Sequence, residues 1–221
     1  YMIAEIGINH NGDIALAKKL IDVATNAGAN AVKFQKRDLE NIYQQKILEN
    51  PSLDSQGTEI LIDVLKNVEF DGDDFREIVN YSKEKKITFL CTPWDIPSVD
   101  FLEKLGVPAY KIASADLTNL PLIAHISKLN KPVIVSTGMS EMEEIEKTVG
   151  FMKEKNIVFS LLHCCSTYPS PVELLNLSLI PILQEKFNVP IGYSGHESSI
   201  LPSITAANMG AVIIERHITL D

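Results

Sequence analysis

Eight short runs of β-branched and apolar residues recur along the chain, separated by amphipathic segments with a helical period. The runs are Met2 to Ile8, Ala31 to Phe34, Ile87 to Cys91, Ala109 to Ala113, Val133 to Ser136, Val158 to His163, Ile191 to Ser194 and Ala211 to Glu215. Helical spacing of apolar residues predicts helices over Ile14 to Ala27, Phe75 to Lys85, Ser98 to Leu105, Leu120 to Leu129, Glu141 to Lys155, Leu179 to Phe187 and Ile200 to Met209. Strands separated by helices must run parallel through crossovers, and near-continuous apolar strands must be covered on both faces. A closed (β/α)8 TIM barrel satisfies both demands within about 250 residues. Residues 1–221 are therefore expected to form one such domain, with the final helix falling after Asp221. An open doubly wound sheet is the alternative, although the sequence has no glycine-rich phosphate turn of the kind that marks it.

Gly28, Gly106 with Pro108, Pro132, Pro190 and Gly210 punctuate the ends of helical segments and predict short loops on one rim. The stretch from Lys36 to Asp74 is different. It is long and polar, and it carries Pro51, Gly57 and Gly72 around possible short helices, as an insertion that shapes a substrate mouth would.

Composition excludes several roles. No apolar run approaches the ~20 residues needed to cross a bilayer. Tyr1 to Asn9 read as a buried strand rather than a signal peptide, so a cytoplasmic location is expected. A formal net charge of −9 opposes a nucleic-acid partner. Cys91, Cys164 and Cys165 make a poor disulfide framework and are expected to be reduced. No feature marks any of them as a low-pKa nucleophile.

In such a barrel, side chains at the C-terminal ends of strands face the active-site mouth. Nearly every predicted strand places polar residues there: Glu5 and Asn9, Lys33 and Gln35, Thr92, Lys111 and Ser114, Ser136 and Thr137, His163 and Ser166, Ser194 and His196, Glu215 and His217. Lys33 and Lys111 lie inside otherwise apolar strands. Each could snorkel to solvent, but two on separate strands point to an anion site, because a buried unpaired ammonium is costly. Thr92, Ser114, Ser136 and Ser194 could add hydroxyl donors, for a phosphate or carboxylate ligand. His196 and His217 end consecutive strands, about 4.8 Å apart in a sheet, and could share one divalent ion with positions left for substrate and water. Two histidines alone also fit ordinary hydrogen-bonded residues. His125 reads as structural, His163 as core or supporting, and His10 stays ambiguous. Glu5, between Ala4 and Ile6, needs a partner or an upward pKa shift. A salt bridge to a barrel lysine and a proton-transfer role both remain open.

The segments Ala4-Glu5-Ile6-Gly7-Ile8-Asn9-His10-Asn11-Gly12, Val32-Lys33-Phe34-Gln35, Tyr110-Lys111-Ile112-Ala113-Ser114, Ser136-Thr137-Gly138-Met139, His163-Cys164 with Tyr168-Pro169, Gly192-Tyr193-Ser194-Gly195-His196 and Glu215-Arg216-His217 resemble the sialic acid synthase family, in family order over essentially the whole chain. The resemblance implies a barrel that condenses phosphoenolpyruvate with N-acetylmannosamine or a related N-acetylated amino sugar, giving a nine-carbon 2-keto acid and phosphate. It implies that His196 and His217 hold Mn2+ or Mg2+ against the open-chain sugar aldehyde. Lys33, Lys111, Thr92, Ser114, Ser136 and Ser194 would then hold phosphoenolpyruvate, with Glu5, Gln35 and Tyr168 near the sugar or the attacking water. Asp116 stands where many members have a sugar-contacting glutamate, and Ser166 where some have asparagine. The acceptor thus stays open among N-acetylmannosamine, its 6-phosphate and precursors of legionaminic or pseudaminic acid. The family further implies a short leader, a homodimer and a C-terminal antifreeze-like domain, neither leader nor domain being present in these residues. Two rivals are a Schiff-base lyase acting through Lys111 and a non-catalytic sugar- or anion-binding barrel.

Overall fold

A computed structural model of the chain describes residues 1–53 and 59–220. Among them, eight parallel strands close on themselves in sequence order: β1 (Met2–Gly7), β2 (Ala31–Lys36), β3 (Thr88–Pro93), β4 (Tyr110–Ile112), β5 (Val133–Ser136), β6 (Phe159–Cys164), β7 (Ile191–Gly195) and β8 (Ile214–His217). β1 pairs with both β2 and β8, which makes this a (β/α)8 barrel and excludes the open sheet. The described helices are α1 (Ile14–Asn26), α2 (Leu39–Ile42), α3 (Gln45–Glu49), α4 (Glu59–Val68), α5 (Gly72–Glu84), α6 (Ile96–Leu105), α7 (Leu120–Ser127), α8 (Met142–Glu154), α9 (Leu179–Phe187) and α10 (Leu201–Asn208). The seven helices expected from periodicity are α1 and α5 to α10, while α2, α3 and α4 lie in the polar insertion. Gly57 of that insertion and Asp221 lie outside the described residues. No helix among the described residues is long and apolar enough to cross a membrane.

Most strand ends shift by one or two residues from expectation, and the start of the last strand shifts by three. The last strand starts at Ile214 rather than Ala211, because residues 211–213 reach β7 only through single bonds, Val212 N–H to Ile191 O (2.8 Å) and Tyr193 N–H to Ile213 O (2.8 Å).

Local chemistry explains where helices begin. Asp13 accepts the N–H groups of Ala15 and Leu16 ahead of α1, and Asp71 and Asp74 cap α5 reciprocally. Such caps contribute about 1 kcal/mol each. Asp95 caps α6 through Ser98 N–H (2.7 Å) and also accepts Asp38 N–H (2.7 Å), tying the insertion to the β3–α6 loop.

The two-residue period of the strands sorts side chains into two layers. Val32, Phe34, Phe89, Cys91, Tyr110, Ile112, Val133, Val135 and Leu161 face outward into the main core, under the helices. Inside the barrel, Ile3, Ala31 and Leu90, with Ala109, Ile134 and Ile213, make a small apolar floor. Two residues further along the same strands stand Glu5, Lys33, Thr92, Lys111, Ser136 and Glu215. The floor closes the barrel at one end, so these polar groups open only toward the C-terminal mouth.

Candidate active site

Glu5 of β1 lies opposite Lys33 of β2, and Ser194 of β7 opposite Glu215 of β8. The closed ring brings these pairs together with Lys111. Lys33 Nζ is 2.7 Å from Glu5 Oε2 and 3.8 Å from Glu215 Oε1, and it donates to Thr92 Oγ1 at 3.0 Å. Lys111 Nζ is 3.7 Å from Glu215 Oε1 and donates to Ser136 Oγ (2.7 Å) and Ile112 O (3.2 Å). Ser194 Oγ donates to Glu215 Oε1 at 3.1 Å. All four ionisable groups are buried. Burial opposes the charge on both lysines, but Glu215 and Glu5 outweigh it at Lys33 and raise its pKa. At Lys111 burial prevails over the Glu215 attraction, helped by repulsion from Lys33, and its pKa lies below the usual lysine value. The two ammonium groups in turn overcome burial at Glu215 and hold its pKa below the ordinary carboxylate value.

Gln35 Nε2 donates to Glu5 Oε1 at 2.9 Å. A Cβ on Gly7 would stand 3.2 Å from both of these atoms, and the backbone there has φ +56°, so glycine both permits the turn and leaves room for the bond. On the opposite side, Gly138 N–H donates to Ser114 Oγ (3.0 Å), where a Cβ would lie only 2.2 Å from Ser166 Oγ.

The mouth carries an aromatic and two imidazoles. His196 Nδ1 is 2.8 Å from Cys165 O. A carbonyl only accepts, so Nδ1 carries the proton and Nε2 of the neutral ring accepts, here from Tyr168 OH at 2.6 Å. Burial lowers the His196 pKa and favours that neutral ring. The His196 and His217 rings are 5.7 Å apart, tilted by 48°. Metal–nitrogen bonds are about 2.0–2.1 Å long, so an ion between the rings could be reached from both, with Nε2 of His196 turned to it in place of Tyr168. The pair fits a divalent ion with two protein ligands. No cluster of three or more His, Cys, Asp or Glu arranged for a metal exists among the described residues.

One cavity is lined by Glu5, Lys33, Gln35, Thr92, Lys111, Ser114, Ser136, Ser166, Tyr168, Ser194, His196 and His217, which gathers every residue given a substrate, metal or catalytic role from the sequence except Asp116, while Asn9, Thr137 and His163 of the strand-end set do not line it. Asp116 is not among the lining residues and ends the single turn Ser114–Asp116. Its Oδ1 accepts from Asn119 (2.9 Å), and its buried Oδ2 has no partner among the described residues. Burial raises its pKa. The other histidines lie elsewhere: His10 stacks on Phe70 (4.0 Å), His125 pairs with Asp100 (2.6 Å) and His163 bonds Leu175 O (2.6 Å). Burial pushes the Cys164 thiol up, against a nucleophilic role.

Glu215 and Trp94 also line the cavity; Glu215 is counted among the polar strand-end residues but has no role assigned from the sequence, and Trp94 is not among them. For Glu215 the signal was present: it shares the inward face of β8 with His217, two residues away, and its neighbour Ile214 faces out. Trp94 continues the inward row of β3 from Thr92, but an aromatic just past a strand reads equally well as core.

Comparison with known proteins places these residues in context. A model described as the NeuB family matches residues 20–221. N,N'-diacetyllegionaminic acid synthase of Campylobacter jejuni is 40% identical over 227 residues, covering 100% of this chain and 67% of that protein. N-acetylneuraminate-9-phosphate synthase of Homo sapiens is 40% identical over 224 residues, covering 100% of this chain and 62% of that protein. A crystal structure of N-acetylneuraminic acid (sialic acid) synthetase from Leptospira borgpetersenii superposes with a TM-score of 0.91 at 38% identity, covering 100% of this chain and 73% of that one. The chain thus spans about three fifths to two thirds of the length of these curated relatives.

Proposed function

The chain belongs to the NeuB family, and from that premise we propose that it is the catalytic barrel of an enzyme that condenses phosphoenolpyruvate with an N-acetylated amino sugar to a nine-carbon 2-keto sugar acid and phosphate. The observation that carries this reading is the meeting of two buried lysines, two buried carboxylates and two histidines at one mouth. The relatives' names support the class of product, since one makes a legionaminic acid and another an N-acetylneuraminate phosphate.

Lys33 and Lys111 are the anion anchor. Without ligand they are neutralised by Glu5 and Glu215, and the phosphate and carboxylate of phosphoenolpyruvate compete for the same ammonium groups. Thr92, Ser114, Ser136 and Ser194 supply hydroxyls around them. Holding the enol rigidly against the sugar aldehyde replaces a bimolecular encounter with an oriented one. C3 of phosphoenolpyruvate bonds to the aldehyde carbon, water adds at C2, and the C2–O bond to phosphate breaks to leave the keto group. Glu5, held by Gln35 and Lys33, takes the proton of that water. A divalent ion, Mn2+ or Mg2+, held by His196 and His217, would supply Lewis acidity toward the aldehyde oxygen. Gln35, Ser166 and Tyr168 line the acceptor end. Family resemblance extends the reading to a cytoplasmic homodimer in which a C-terminal antifreeze-like domain covers the partner's sugar site.

Incubation of the full-length protein with phosphoenolpyruvate, Mn2+ and a panel of N-acetylated amino sugars tests this through phosphate release and product mass. Phosphate release with none of them refutes it. One observation favours the Schiff-base rival, the lowered pKa of Lys111. Borohydride trapping with pyruvate separates the two, since covalent labelling at Lys111 would establish the rival.

A further inference from the structure

Lys33, Gln35 and Arg37 alternate along the inward row of β2 and its continuation, climbing from the barrel floor to the mouth. Arg37 donates through Nη2 to Gln35 Oε1. A guanidinium has only donors, so the Gln35 atom facing it must be the carbonyl oxygen, which leaves the amide N–H for Glu5. Arg37 is fixed by groups outside β2. Glu69, between α4 and α5 at the return of the polar insertion, accepts Arg37 Nη1 at 3.4 Å and its backbone N–H at 3.2 Å. The guanidinium also lies 4.5 Å from the Trp94 ring. Its side chain is 10% exposed and that of Glu69 13%, so solvent competes little with either contact.

We propose that Arg37 is a positioning residue: gripped by Glu69 and stacked on Trp94, it holds the Gln35 amide in the single orientation that presents N–H to Glu5. The polar insertion thereby sets the aim of the carboxylate at the floor of the pocket, through a relay that runs Glu69, Arg37, Gln35, Glu5. The relay rests on the reading of Glu5 as the proton-handling group of a condensing enzyme. The alternative is a salt bridge that only stitches the insertion to the barrel.

Two variants of the full-length protein separate these. Arg37→Met leaves Gln35 bonded on one side only, and small misplacements at a reacting centre are costly, so kcat should fall about 10-fold or more. Phosphoenolpyruvate affinity by calorimetry should stay within about 2-fold, because Lys33 and Lys111 are untouched. Glu69→Gln loosens the anchor without removing the guanidinium and should lower kcat in the same direction by less, which keeps the test open if Arg37→Met folds poorly. Unchanged kcat in both variants overturns the proposal. So does a loss of thermal stability and phosphoenolpyruvate affinity with kcat intact. If the parent protein turns over no acceptor at all, the functional reading fails, and side-chain amide NMR of Gln35 still decides the relay. Faster exchange of its NH2 protons in Arg37→Met supports the proposal, and exchange unchanged from the parent refutes it.

Discussion

At the floor of the pocket, Glu5, Lys33, Lys111 and Glu215 are each no more than 5% exposed and neutralise one another, whereas at its rim Tyr168 is 66% exposed and His217 stands open to solvent. His217 stands two residues beyond Glu215 on β8, yet the two regions follow different physics. A buried charge must be paired, because desolvating it costs several kcal/mol, so the floor is a closed network in which no member can be lost alone. The rim is partly wet, its charges are screened, and its groups can exchange Tyr168 for a ligand without leaving anything stranded. Binding energy resides below, and adaptability above.

The sharpest way to break that contrast is Lys33→Met, which strands Glu5 and leaves Glu215 with Lys111 alone. A loss of about 3–5 kcal/mol in unfolding free energy is expected, as for one half of a buried pair. Urea denaturation measures it, and a loss under 1 kcal/mol would mean that the floor is not a closed network.

The histidines divide the same way and yield a pH test. His10 is buried on Phe70 and its pKa is lowered to about 4, chiefly by desolvation. The unfolded chain binds that proton near pH 6.5 and the folded one only near 4, so stability is full above 6.5 and falls as pH drops through this window, by about 3 kcal/mol. His10→Phe keeps a ring on Phe70 and should flatten the profile between pH 6.5 and 4. An unchanged slope would assign the acid sensitivity elsewhere.

Lys111→Met is expected to weaken phosphoenolpyruvate binding by about 1.5–3 kcal/mol, the range for a charged hydrogen bond, and calorimetry reads it directly. At the rim, His217→Ala should cost less than about 1 kcal/mol of stability, since the side chain is exposed, while Mn2+ binding falls sharply. A large loss of stability there would erase the distinction between floor and rim.

Much of this division was readable before any coordinates. The apolar run Ala31 to Phe34 placed Lys33 and Gln35 at a strand end facing the mouth, and glycine and proline marked where helices stop. What stayed hidden depended on closure and on long-range approach. That Glu5 pairs with His217 across the β1–β8 seam follows from ring closure and its stagger, and no local pattern encodes it. Arg37 and Glu69 are separated by a polar insertion whose path periodicity does not specify. Asp116 came into consideration through the family resemblance, and it lies in a one-turn helix outside the cavity lining. Glu215 was legible as a strand-end carboxylate, but its role as partner of both lysines depends on neighbours from other strands.

The β1–β8 seam carries one more consequence, in time rather than space. Ile218 N–H bonds to Glu5 O at 3.0 Å, and Ile214 N–H to Tyr1 O at 2.9 Å, each across more than two hundred residues of chain. Contacts so distant in sequence require the largest loop-closure entropy of any in the barrel, and they are expected to form after the local strand–helix–strand units. Glu5 and Glu215 lie on the two strands joined there, so the anion pocket is assembled only when the ring shuts. A phosphoenolpyruvate-binding signal followed during refolding would therefore lag behind helix formation and report the last step of the fold.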